Sequence, residues 1–111
     1  MSVAMIASVT TVVPLAGLDL LTVGVGTRAH LAGLILTNTH TAAVTVAVHN
    51  IPSAGSAQTA NMICKAISLA AGEMATVLLH SICLTAGVKL HLVPSVDSVV
   101  NATLSGGIET I

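Results

Sequence analysis

Five histidines (His30, His40, His49, His80 and His91) and two cysteines (Cys64 and Cys83) are the side chains best suited to hold a metal ion in this 111-residue chain. None stands in the close pairs, C-x2-C or H-x3-H, that place two ligands on one ion from a single local segment. A site assembled from His40, His49 and Cys64 is the remaining combination. The plainer expectation is imidazoles hydrogen-bonded at strand edges or subunit contacts. No metal or other cofactor is expected.

Nucleophilic catalysis needs a hydroxyl or thiol beside a base that takes its proton. No G-x-S-x-G segment occurs, and Ser53 and Ser56 have no neighbouring His. The four carboxylates, Asp19, Glu73, Asp97 and Glu109, are far apart and mostly beside turns, where solvation is the expectation rather than general acid-base work. Gly24 and Gly26 begin like G-x-G-x-x-G, but Ala29 stands where the third glycine belongs and no helix follows to offer its N–H groups to phosphate. These patterns point away from an enzyme.

What remains for recognition is a sparse polar set: Arg28, His49, Lys65, Lys89 and His91. Arg28 is the first choice for a hydrogen bond between subunits, since its planar fork suits carboxylates and carbonyls. If His49 or His91 lay in a closed interface, acidification would charge it and weaken assembly.

The background to these groups is extreme. There is no Phe, Trp or Tyr, 54% of the residues are hydrophobic and 6% are charged, against roughly 25% charged in ordinary soluble domains. A net charge of -1 offers no footprint for a phosphate backbone or an anionic lipid surface, and without aromatics there is no platform for stacked bases. Nucleic acid is therefore not an expected partner. Neither is a membrane: the uncharged stretch between Arg28 and Lys65 is broken by Asn38, His40, His49, Asn50, Pro52 and Ser53, so no run of about 18 apolar residues exists. No Lys or Arg precedes the apolar N-terminal stretch, as a secretory signal requires, so a cytoplasmic origin is expected, with both cysteines reduced and buried.

β-Branched Val, Ile and Thr recur between Gly, Pro, Ser and Asn at regular intervals, the pattern of a single all-β domain, residues 1–111. It predicts an antiparallel β-sandwich, jelly-roll or immunoglobulin-like, of about seven to eight short strands. Strands are expected over residues 5–13, 20–25, 28–37, 43–51, 61–69, 73–82, 88–93 and 99–104, the last running out through Gly106 and Gly107 to Glu109. In the fourth, Val44, Val46 and Val48 make the core face and Thr45, Ala47 and His49 the polar one. In the fifth, Ile63, Ile67 and Leu69 share a face with Lys65. Residues 51–60 read as a mobile loop, and Ala70-Ala71-Gly72 and Thr85-Ala86-Gly87 as tight turns.

Leu31 to Leu36 and Val77-Leu78-Leu79 are apolar at both parities, which suggests that a second sheet face is covered by a neighbouring subunit. The loop 51–60 and the N-terminal residues 1–13 are free to reach a neighbour. A carbohydrate-binding module is the competing reading, but sugar sites usually need aromatic faces or a cation among clustered carboxylates, and this chain has neither.

Gly26-Thr27-Arg28 leading into Leu31, Gly33, Leu34, Leu36 and Asn38, then residues 44–49, I-S-L-A-A-G-E at 67–73, L-T-A-G at 84–87 and N-A-T-L-S-G-G-I-E at 101–109, resembles the small β-sandwich virion proteins of tailed bacteriophages. The resemblance covers residues 5–111 and consists of turn and strand patterns. It implies a virion structural protein: a capsid decoration (cement) subunit, or a neck, tail or fibre-base component. The implied partners are copies of itself, with a trimer favoured, and virion proteins such as the major capsid protein.

Overall fold

Branched aliphatic and Thr side chains pack well on a pleated surface, so segments rich in them pair edge to edge wherever turn residues do not intervene. The computed structural model describes residues 2–6, 10–52, 55–79 and 82–110, and ten strands form among them. These are β1 (Ser2–Met5), β2 (Thr11–Val13), β3 (Leu18–Thr22), β4 (Thr27–Asn38), β5 (Val44–Ile51), β6 (Met62–Leu69), β7 (Met74–Leu78), β8 (Cys83–Leu84), β9 (Lys89–Pro94) and β10 (Val100–Thr110). One 3-10 turn, Thr59–Asn61, precedes β6.

All pairing is antiparallel, in two sheets. In the first, β1 and β2 lie along one edge of β10, β4 lies on its other side, and β7 and β8 lie along the far edge of β4. The second runs β3-β9-β5-β6. Counting β1 with β2, and β7 with β8, as interrupted single strands leaves eight. Their order is first-eighth-third-sixth in one sheet and second-seventh-fourth-fifth in the other. That is the double Greek key of a jelly roll, and it excludes the immunoglobulin order among the two sandwiches expected.

The core between the sheets is aliphatic throughout. Ala29, Leu31, Leu34 and Leu36 of β4 and Val100, Ala102 and Leu104 of β10 face Val44, Val46 and Val48 of β5 and Leu90 and Leu92 of β9. Each of the Val and Leu side chains contributes about 1.5–3 kcal/mol on burial. Asn38, fully buried at the end of β4, ties the first sheet to the end of β6 in the second and to the turn that leads from it. Its Nδ2 donates to the carbonyls of Ala42 (2.9 Å), Leu69 (3.2 Å) and Ala70 (3.0 Å), and its Oδ1 accepts the His40 N–H at 2.8 Å.

Several expectations from alternation need correction. β6 shifts register twice against β5, so Cys64 takes the place opposite Val48 and Ile67 that opposite Val46. Lys65 is left exposed in the bulge between them and does not share a face with Ile63, Ile67 and Leu69. His49 alternates outward as expected but is buried. The cysteines are not both buried: Cys64 is half-covered and packs against the core, while Cys83 is exposed on the outer face opposite His30.

The last strand runs to Thr110 rather than ending at Leu104. Gly106 permits this because a Cβ there would collide with the His30 carbonyl, where β4 bulges at Ala32. Expected strands over 5–13 and 73–82 fall partly on residues 7–9 and 80–81, which lie outside the described residues, as does His80. The described parts of segment 1–13, β1 and β2, pair with β10 of the same chain.

Candidate interaction surface

Cross-strand register sets out the outer face of the first sheet as a ladder of rows. Val12, Asn101, Thr37 and Met74 form one row, and Thr103, Ile35 and Thr76 the next. Ser105, Gly33 and Leu78 follow, then Met5, Gly107, His30 and Cys83, and last Glu109 and Arg28. Thr10 joins the second row through its hydroxyl, 3.0 Å from that of Thr103. Of the seven exposed large hydrophobics among the described residues, this face holds five: Met5, Val12, Ile35, Met74 and Leu78. That concentration makes it the least water-suited surface of the molecule.

Its charge is confined to one end. Arg28 Nε donates to Glu109 Oε1 at 2.5 Å, and His30 Nε2 lies 3.5 Å from the same oxygen. The Arg28 hydrogen bond holds the Glu109 carboxyl below its ordinary range; desolvation opposes this, and the His30 hydrogen bond adds to it. Arg28 has further N–H donors beyond this bond, and 40% of its side chain is exposed. Glu109, expected beside a turn in water, instead lies in β10 directly opposite Arg28.

The outer face of the second sheet is different: at its His49 end the chain folds its own loop over it. Asn61 Oδ1 accepts the Gln58 N–H at 3.1 Å while its Nδ2 donates to the Ser56 carbonyl at 2.8 Å. These backbone partners orient the amide, so the oxygen is what meets His49 Nδ1 at 2.7 Å, and Nδ1–H must be the donor. His49 is thereby sealed at 4% exposure. Its ring meets that of His91 edge-on, centroids 6.2 Å apart. His91 Nδ1 in turn lies 2.7 Å from Asp19 Oδ1, and Lys89 Nζ 3.9 Å from Asp19 Oδ2. Gly17 lets the backbone approach here, since a Cβ would strike the His91 ring. Part of the loop expected over 51–60, residues 53–54, lies outside the described residues.

The five residues singled out from the sequence thus do not converge. Arg28 stands on the first sheet; His49, Lys89 and His91 line the second; Lys65 sits on the edge strand β6. His49 is inside the chain's own fold, and His91 is half-buried beside it. Cys64 packs inward while His49 faces Asn61, so the combination of His40, His49 and Cys64 is not assembled. No three His, Cys, Asp or Glu side chains among the described residues come together as a metal-binding group. Asp19 and Glu109, read from the sequence as solvated carboxylates, and Asn61 have partners 72, 81 and 12 positions away in the chain, pairings for which there is no local signal.

Fold and surface together define a jelly-roll module with one partly apolar outer face whose charge is confined to the Arg28–Glu109 end. Its fold is similar to that of a chain in the crystal structure of the T13 IBDV viral particle, with a TM-score of 0.50 and 12% sequence identity. The match covers 96% of this chain and 30% of the viral one, so the present chain spans less than a third of that protein's length. At that identity the likeness is one of fold. No family model and no curated protein sequence matches the chain.

Proposed function

We propose that this chain is a non-enzymatic structural subunit of a virus particle, associating with copies of itself and with other virion proteins. The observation that carries this reading is the outer face of the first sheet, where Met5, Val12, Ile35, Met74 and Leu78 stand among Thr, Ser and Gly with charge only at the Arg28–Glu109 end. Covering such a face gains about 25 cal/mol per Å2 of apolar area, and specific contacts bury roughly 800 Å2 per partner. The jelly roll, a fold that serves in capsids, supports the same reading, as does its likeness to a chain of the IBDV particle.

More specifically, the chain is a capsid decoration (cement) subunit of a tailed bacteriophage, bound to the major capsid protein. Arg28 supplies polar specificity at the charged end of the face, with Lys65, Lys89 and His91 at secondary contacts.

The test is twofold. Mass spectrometry of purified particles should find hundreds of copies per particle; a handful would place the chain at the neck, tail or fibre base instead, and absence would overturn a virion role. Ile35→Glu, at an exposed position in the middle of the face, should lower the number of copies retained on purified particles while leaving the thermal midpoint within a few degrees. An unchanged copy number would remove this face from the account.

A further inference from the structure

The edges of the two sheets are treated differently. β6 is bulged against β5 and carries Lys65; β3 shifts register between Asp19 and Leu21 and carries Asp19. A bulge and a charge are the devices that keep an edge from pairing with a foreign strand. β7 has neither. It runs straight against β4, from Leu78 opposite Gly33 to Met74 opposite Thr37, and none of its five residues is charged. On the opposite edge of the same sheet, β1 and β2 are four and three residues long and paired separately to β10.

Two hydrogen bonds flanking the β4–β7 ladder settle which backbone groups are free. The Asn38 N–H donates to the Glu73 carbonyl at 2.9 Å, and the Leu79 N–H to the Ala32 carbonyl at 3.1 Å. Antiparallel alternation then makes Ala75 and Val77 the residues bonded to β4, and turns the N–H and C=O of Met74, Thr76 and Leu78 toward the open edge. The side chains of those same three residues stand on the outer face, Met74 61% and Leu78 72% exposed.

We propose that this edge pairs with β7 of a second copy of the chain, antiparallel and centred on Thr76, so that the first sheet continues across a two-fold axis. The strand is complementary to itself in that register. Thr76 exchanges both backbone bonds with the partner's Thr76, Met74 meets the partner's Leu78 on the outer face, and half-buried Ala75 meets the partner's Val77 on the core side. Apolar groups face apolar groups, and no charge meets a like charge. The pairing rests on the reading that copies of this chain associate, and it makes the unit a dimer where the sequence resemblance implied a trimer.

Amide hydrogen exchange on the wild-type chain at two concentrations tests it. The Thr76 and Leu78 amides should be protected in the concentrated, associated protein and lose that protection on dilution. Thr76→Pro removes the edge N–H without removing a bond to β4, and should weaken association by roughly tenfold or more, while Thr76→Val should leave it within about threefold. Should Thr76→Pro fail to fold by circular dichroism, the exchange measurement on the wild type decides alone. An oligomer whose Thr76 and Leu78 amides exchange as fast as in the dilute protein overturns the β7 edge and leaves self-association standing. A lone protomer at every concentration overturns both.

Discussion

Glu109 lies directly opposite Arg28 across the β10–β4 pair, and the Arg28 Nε–H reaches its carboxylate at 2.5 Å. This is the one charged island on a face otherwise built of aliphatic, hydroxyl and glycine residues, and both partners are held by strands whose inward residues form the core. Its consequence is a pH dependence whose sign follows from the lowered carboxyl. Because the folded value lies below the ordinary 4.5, the pair stabilises the fold fully above about pH 4.5, and the contribution is lost as pH falls through the folded value. Glu109→Gln should therefore melt below wild type at pH 7, with the gap narrowing as both are titrated from pH 4.5 downward. A gap constant across that range would mean that the carboxylate charge is not what matters.

Asn38 replaces several backbone partners at once where the two sheets meet. Asn38→Ala removes the partner of the Ala42, Leu69 and Ala70 carbonyls and the His40 N–H, leaving the buried Leu69 carbonyl unpaired, and should cost about 1–3 kcal/mol. Asn38→Asp should be worse, since a carboxylate cannot donate to those carbonyls and would be buried as an anion. Denaturant titration measures both, and an Asn38→Asp variant as stable as wild type would show that the carbonyls find other donors.

Asn61 is the clasp that holds the loop over His49. In Asn61→Ala the Gln58 N–H, the Ser56 carbonyl and His49 Nδ1–H all lose a partner. A loss of about 1–2 kcal/mol is expected, together with faster cleavage of the 55–61 segment in limited proteolysis. Cleavage at the wild-type rate would mean that the segment is held by other contacts.

Much of the architecture was legible in residue order. Leu90 and Leu92 alternate with Lys89 and His91 just as period two demands, and Val44, Val46 and Val48 do the same in β5, because burying one face is the strongest local constraint on a strand. The Ala70-Ala71-Gly72 turn closes as read, with the Glu73 N–H on the Ala70 carbonyl at 2.9 Å. The excess of apolar residues at both parities in β4 and β7 translates into a real feature, the exposed Ile35, Met74 and Leu78.

Other features had no local signal. Nothing around Lys65 announces that β6 slips against β5, since a bulge is a compromise between two strands rather than a property of one. His49 sits at an outward position and is still buried, because Asn61 folds back onto it from beyond Pro52. Cys83 was expected inside and is outside, since β8 is two residues long and its facing depends entirely on pairing with Ala29 and His30.

Composition and alternation were thus enough to dictate an aromatic-free, all-β sandwich with too little charge to spread over its surface, because those properties depend on which residues are present and how they repeat. The choice of a jelly roll, the joining of Arg28 to Glu109 across 81 positions, and the contrast between bulged edges and the straight β7 came only with the folded chain. Each of these is a relation between segments distant in sequence, settled by which strand lies beside which, and pairing energy is shared between two strands rather than encoded in either.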